Sequence, residues 1–228
     1  MNNVIVNLST GRYIVGAERL KKSLLDNNYK GDFLFFTEES QVGSPTHFEN
    51  PYAFKTYAIQ YALNLGYTKI LWLDSSVYAI NDIDIVWKTI EEQGFLMKFS
   101  GWYSGTWAND FSLNYFNITR EEALEMPMYG DAGMLGLNFE SEIAKSFFNK
   151  WHKSSQDGVF KGAWNNNEKT ESQDERCLGH RHDMTAGSII ANLLGMNNYY
   201  FGSNEILQYA SPTDEVLNET IIFKAQGV

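Results

Sequence analysis

The sequence contains one cysteine, Cys177, so an internal disulfide cannot form and a disulfide-stapled secreted scaffold is excluded. Positive charge is also scarce: 18 Lys and Arg stand against 28 Asp and Glu, for a formal charge of −10. The basic field that gathers nucleic-acid phosphates or an anionic membrane is absent, so any phosphate ligand must be held by a local site. No apolar run reaches the roughly 18 to 20 residues that span a bilayer; even KILWLDSSVYAI is broken by Asp74 and two serines. The start, MNNVIVNLS, has neither the basic residues nor the long apolar run of a signal peptide, and a cytoplasmic setting is expected. No internal repeat or dividing linker is visible.

What is present is apolar material, 43% hydrophobic and 15% aromatic over 228 residues, enough for one sizeable core. A single domain over residues 1–228 is expected. VIVN (4 to 7), FLFFT (33 to 37) and KILWLD (69 to 74) read as buried strands. Between them YIVGAERLKKSLLDNN and AFKTYAIQYALNLG carry apolar residues at helical intervals. Apolar strands alternating with amphipathic helices predict an α/β fold: a mainly parallel central sheet with helices on both faces. Beyond Asp74 the sequence predicts a short helix around DIDIVWKTI, a strand FLMKFS (95 to 100) and an aromatic-polar loop over 101 to 116. A T-x-x-E capping box follows at Thr119 and Glu122, then a strand in GDAGMLGLN and helices in SEIAKSFFNKWHK and HDMTAGSIIANLLGM. Residues 153–181 are polar and aperiodic, and are expected to form a mobile loop.

In such a sheet ligands sit at the carboxyl ends of the strands. Those ends place Ser9, Thr10 and Arg12 after the first strand, Thr37 after the second and Asp74, Ser75 and Ser76 after the third. Asp74 would present a hard oxygen to a cation bridging a diphosphate, or would simply cap the next helix. Lys55, at a helix start, and Arg12 suit a nucleotide or diphosphate, or are ordinary surface cations. Asp131 stands among small residues that allow a ligand close approach, or serves a turn. Asp183 begins a helix, where the dipole favours a carboxylate, and an N-cap is the plain alternative. Cys177, His180 and His182 have spacing that could hold zinc but lack a fourth ligand. The Trp and Tyr residues of the 101 to 116 loop suit stacking on a sugar face, or belong to the core.

LWLDSSVYAINDIDIVW resembles the strand, acidic motif and short helix of GT-A (Rossmann-like) glycosyltransferases. FKTYAIQYALNLGYTKILWLD resembles the approach to that motif, GDAGMLGLNFESEIAKSFFNKW the later N-A-G strand and helix, and HDMTAGSIIANLLGM the acidic helix start of glycogenin-like members. The ordered likeness covers roughly residues 4 to 200, and compact GT-A domains such as those of large algal viruses are the nearest in size. It implies a glycosyltransferase acting on a nucleoside diphosphate sugar, UDP being expected, and on a glycan hydroxyl as acceptor. It implies Mn²⁺ or Mg²⁺ at Asp74 and Ser76, and a donor site of Ser9, Thr10, Arg12, Thr37, Lys55, Asp74, Ser75, Ser76, His182 and Lys224. Asp183 and Asp131 would be catalytic, with a lean to retention of configuration. Two departures stand out: Ser76 replaces the family's second acid, and the tail IIFKAQG lacks a metal-binding histidine, leaving Lys224 to face the diphosphate. The missing acid also admits a non-catalytic nucleotide-sugar or glycan-binding module. A sugar nucleotidyltransferase is disfavoured, because LSTGR is poor in Gly and Lys.

Overall fold

The run NVIVNL buries both of its faces. Val4, Val6 and Leu8 enter one apolar cluster and Ile5 another, the period-two pattern of a strand covered on both sides. The structure, a computed structural model, describes residues 3–129, 133–196, 200–201, 206–209, 215 and 221–226. Within them the expected alternation holds at the start: β1 (Asn3–Leu8), α1 (Ile14–Asp26), β2 (Asp32–Phe36), α2 (Phe54–Asn64) and β3 (Lys69–Leu73). There follow β4 (Val77–Ala79), α3 (Asp84–Gln93), β5 (Phe95–Tyr103), α4 (Asp110–Phe116), α5 (Arg120–Leu124), β6 (Pro127–Tyr129) and β7 (Met134–Asn138). The remaining elements are α6 (Glu142–Gln156), α7 (His182–Leu193), β8 (Tyr200–Phe201), β9 (Leu207–Tyr209) and β10 (Phe223–Ala225).

The main sheet runs β2-β1-β3-β7-β5-β6, with β8 also paired to β5. Leu20 and Leu24 of α1 and Val86 and Ile90 of α3 cover one face. Ala58 and Ile59 of α2, Phe147 and Phe148 of α6 and Ile190 of α7 cover the other. The α/β class and the helices on both faces are therefore as expected, but the sheet is mixed. β1 is parallel to β2 and β3, and β5 to β8, whereas β7 runs antiparallel to β3 and β5, and β6 antiparallel to β5. A strand buried on both faces looks equally apolar in either direction, so sequence pattern carries no sign of this reversal. Gly136 of β7 is where α3 presses closest: an added Cβ would lie 2.5 Å from Ile90 Cδ1.

The 101 to 116 stretch is more ordered than a loop. β5 continues through Tyr103, and Asn109 caps α4 by accepting from Ser112 N at 2.9 Å. The Thr119–Glu122 capping box closes as expected, although α5 is a short helix. α6 extends to Gln156, and residues 157–181 contain neither helix nor strand. Buried side chains tie that segment down. Asn166 Nδ2 donates to Ser172 O (2.8 Å) and Cys177 O (3.2 Å), and the Arg120 guanidinium donates to Gly105 O, Ala108 O, Asp110 and Ser172 Oγ. A small second sheet, β4-β10-β9, joins the tail to the turn after β3.

Candidate active site

Trp72 and Asp74 lie two residues apart at the end of β3 and share a side of the chain, so the indole Nε1 donates to Asp74 Oδ1 at 2.6 Å. The turn that follows is held from behind. Val77 N donates to Asp74 O, Gln226 N donates to Ser76 O at 2.9 Å, and Arg19 Nη2 of α1 donates to the carbonyls of Ser75, Ser76 and Gln226. The D-S-S turn is thus clamped between α1 and the chain's tail.

Lys55, the second residue of α2, is 2% exposed and reaches beneath this turn. Its Nζ lies 3.2 Å from Asp74 Oδ1 and 3.0 Å from Asp183 Oδ2. Burial works against the Lys55 charge, but Asp183 and then Asp74 outweigh it and hold the ammonium above the ordinary lysine range. Asp74 keeps 27% of its side chain exposed. Burial of the rest pushes its carboxyl up, opposed by Lys55 and by the Trp72 hydrogen bond. With both acids ionised, two carboxylates against one ammonium leave a net negative centre.

Asp183 does not cap α7. The cap position is Arg181, without a side-chain cap bond, and the Asp183 carboxylate, 5% exposed, turns to Lys55 instead. Trp151 Nε1 of α6 donates to Asp183 O at 3.0 Å and fixes this end of the helix. His182 precedes it with φ of 49°, in the left-handed region, its Nδ1 2.9 Å from Phe160 O. Burial pushes the His182 pKa down, and its Nε2 is buried without a hydrogen-bond partner among the described residues.

Over Lys55 and Asp74 opens a cavity of about 340 Å³ at the carboxyl ends of β1 and β3. It is lined by Leu8, Ser9, Thr10, Tyr13, His47, Tyr52, Phe54, Lys55, Asp74, Ser75 and Ser76. A second space of about 30 Å³, the size of a water or so, lies on the far side of Lys55 against Asp183, Trp151 and Met184. Lys55 is common to both.

Of the residues expected from sequence, Ser9, Thr10, Lys55, Asp74, Ser75 and Ser76 meet in the larger cavity, and Asp183 joins them through Lys55. Arg12, Thr37, His182 and Lys224 do not line it. Arg12 is exposed and lies over the Tyr13 ring (5.0 Å). Thr37 N donates to Gln41 Oε1, and Lys224 is buried in β10 opposite Tyr78. Asp131 lies outside the described residues. The zinc spacing resolves into backbone contacts: Cys177 Sγ donates to Ala108 O and Gly179 O, His180 Nε2 meets Val159 O, and His182 Nδ1 meets Phe160 O. Sequence reading missed Tyr13, His47, Tyr52 and Phe54 as lining residues, and Trp72 as the partner of Asp74. The two-residue spacing of Trp72 and Asp74 on a strand was the available signal.

Among the described residues no three His, Cys, Asp or Glu side chains gather as a metal site. The residues nonetheless fit a hard divalent ion shared with a ligand. Mg²⁺ and Mn²⁺ accept one carboxylate, a hydroxyl, waters and phosphate oxygens, and Asp74 and Ser76 offer the first two beside a centre that carries excess negative charge.

No protein-family model matches the chain, and no curated protein matches it in sequence. Solved structures match it in fold. The structure of a protein described as the WbbM bifunctional glycosyltransferase aligns with 90% of this chain at a TM-score of 0.51 and 11% identity. The chain spans 39% of the length of that protein. Mouse xyloside xylosyltransferase 1 aligns with 92% of the chain and 88% of its own, at a TM-score of 0.48 and 11% identity. A glycosyltransferase involved in glycosylation of the major capsid of PBCV-1 aligns with 98% and 91%, at 0.49 and 12%. The chain shares the fold of the aligned part of the WbbM structure.

Proposed function

We propose that the chain is a glycosyltransferase that moves a sugar from a nucleoside diphosphate donor, UDP being the nucleotide expected, to a hydroxyl of a glycan acceptor. The observation that carries this reading is Lys55 bridging Asp74 and Asp183 at the floor of a cavity at the strand ends. Lysine is almost never fully buried unless paired, and here its two partners come from distant parts of the chain. Such an arrangement is costly as mere scaffolding, since a buried ion pair seldom gains over apolar packing.

In this reading Ser9, Thr10 and Ser76 offer hydroxyls, and Tyr13, Tyr52 and Phe54 ring faces, to the nucleotide and sugar. Mn²⁺ or Mg²⁺ would be held by Asp74, Ser76 and the donor's own diphosphate, where it would neutralise charge on the leaving group. Lys55 fixes both carboxylates: Asp74 would serve the metal, and Asp183, behind Lys55, would be left to offset the positive charge that develops at the anomeric carbon as the bond to diphosphate weakens. Retention of configuration is the expected outcome. The test is release of UDP from a panel of UDP-hexoses and UDP-deoxyhexoses, with and without Mn²⁺. Failure of every one to bind or turn over would remove the reading.

A further inference from the structure

The rim beyond His182 is aromatic. The Arg181 guanidinium carbon lies 3.7 Å from the ring centre of Trp107, 4.4 Å from that of Trp164 and 5.4 Å from that of Trp102. Trp102 and Trp107 are themselves 5.2 Å apart, tilted by 38°. Guanidinium–indole contacts of this kind hold a flat surface rigid. Yet the surface is not covered: Trp102 is 41% exposed, Tyr103 47% and Trp164 50%. Exposed large rings are ordinary when scattered, and informative when they cluster beside a cleft.

The cluster is continuous with the centre described above. The Trp164 ring is 6.2 Å from Tyr52, and the Tyr52 ring centre is 5.3 Å from Lys55 Nζ. Trp164 also meets the His182 ring at 5.1 Å, one residue from Asp183. Within the guanidinium only Nη1 has a hydrogen-bond partner among the described residues, Trp164 O at 2.8 Å, and Nε is buried without one. The strip therefore pairs apolar ring faces with a guanidinium whose Nη2 has no hydrogen-bond partner among the described residues.

We infer that Trp102, Trp164 and Arg181 form a carbohydrate subsite that receives the acceptor glycan, stacking a pyranose ring on the indoles while Arg181 donates to its hydroxyls. A pyranose presents a C–H face and a hydroxyl rim, the same division of chemistry as this strip. An acceptor hydroxyl must also reach the donor's anomeric carbon, which places its ring on whatever surface adjoins the centre. The inference rests on the transferase reading for its role as an acceptor site, but not for carbohydrate binding as such.

The experiment is saturation-transfer NMR with the methyl glycosides of glucose, galactose, mannose, xylose, fucose and rhamnose, on wild type, Trp102→Ala and Trp164→Ala, beside calorimetric UDP titration and melting curves. The expected result is transfer to at least one glycoside by wild type, reduced at least fivefold in each variant, with UDP affinity within twofold and melting unchanged for Trp102→Ala. No glycoside signal from wild type, or equal signals from all three proteins, overturns the subsite. A parallel loss of UDP affinity in Trp102→Ala overturns it as a separate site. A glycoside signal that depends on the indoles, from a protein that binds neither UDP nor any UDP-sugar, leaves the subsite standing and removes the transferase reading.

Discussion

Lys55 Nζ lies 3.0 Å from Asp183 Oδ2, and this contact joins the start of α2 to the start of α7 beneath the turn that carries Asp74. Asp74 and Asp183 are 19 and 128 positions from Lys55 along the chain, and each element that brings them is fixed by packing elsewhere. Lys55 holds the acids against their mutual repulsion, so it has a structural role and an electrostatic one together. Substitutions can separate the two.

Lys55→Met keeps the length of the side chain and removes the charge, which leaves Asp183 buried without its cation. Breaking a buried pair from one side costs about 3 to 5 kcal/mol, which for a chain of this size lowers the melting temperature by roughly 6 to 20 °C. Adding Asp183→Asn to Lys55→Met should recover part of that loss, because the orphaned charge is gone. Scanning calorimetry of the single and double variants measures it, and a single variant that melts like wild type would show that the bridge contributes nothing.

Asp74→Asn should separate cation-dependent from cation-independent binding. The amide oxygen can still accept from Trp72 Nε1, so the turn should keep its shape. With Mn²⁺ present, UDP affinity should fall at least tenfold, since a clamp on diphosphate loses its only carboxylate. Without metal, affinity should stay the same or improve, because a charge that repels diphosphate has been removed. Calorimetry at matched ionic strength distinguishes the two, and an identical loss with and without Mn²⁺ would speak against a metal at Asp74.

Acid should destabilise the fold through its buried histidines. His180 is fully buried, its Nε2 2.9 Å from Val159 O and its Nδ1 accepting from Asn109 N, and burial, with the neighbouring His182, pushes its pKa down to about 3. A folded value below the unfolded one means that the stabilisation is present above about pH 6.5 and is lost as pH falls toward the folded value. At pH 5 the loss from this one residue is about 2 kcal/mol. Melting temperatures between pH 7.5 and pH 4.5 should therefore fall, and His180→Gln should flatten the slope. Parallel curves for the two proteins would place the acid sensitivity elsewhere.

Much of the first half of the fold was legible because burial there is local. VIVN, FLFFT and KILWL are strands by composition alone, and the helices between them carry apolar stripes. β4, β9 and β10 were not, since three-residue strands have no period to read, and β4 joins β10 only through partners more than 140 residues away, Val77 opposite Ala225 and Ala79 opposite Phe223. The site divides in the same way. Asp74 was legible from its place at a strand end, whereas the Lys55 bridge depends on α6, which packs against both α2 and α7. HDMTAGSIIANLLGM drew attention to Asp183 as a helix start, but its role in the fold is that of partner to Lys55, with the cap position taken by Arg181. Arg181 itself, beside one indole from the end of β5 and two from separate loops, has no local pattern that would have marked it.

Asp183→Asn bears most directly on the chemistry. Because Asp183 does not cap α7, the amide should not act through the helix end, and Asp183→Ala should cost no more in helix stability than a change at any early helical position. What Asn removes is one of the two charges on Lys55, a hydrogen bond to a charged group worth about 1.5 to 3 kcal/mol, with Asp74 still in place to keep the ammonium paired. The fold should therefore survive with a moderately lower melting temperature. UDP affinity should change less than threefold, since the lining of the larger cavity is untouched. Sugar transfer should fall at least a hundredfold, the scale for removing one preorganised hydrogen-bonding group from a transition state, because with Asp74 serving the metal the carboxylate left to offset charge on the sugar is gone. Transfer rate, UDP affinity and melting temperature compared side by side give the answer. Unchanged transfer with the expected drop in melting would make Asp183 a support for Lys55 alone, and would move the search for the sugar-side group to the residues around Tyr52 and His47.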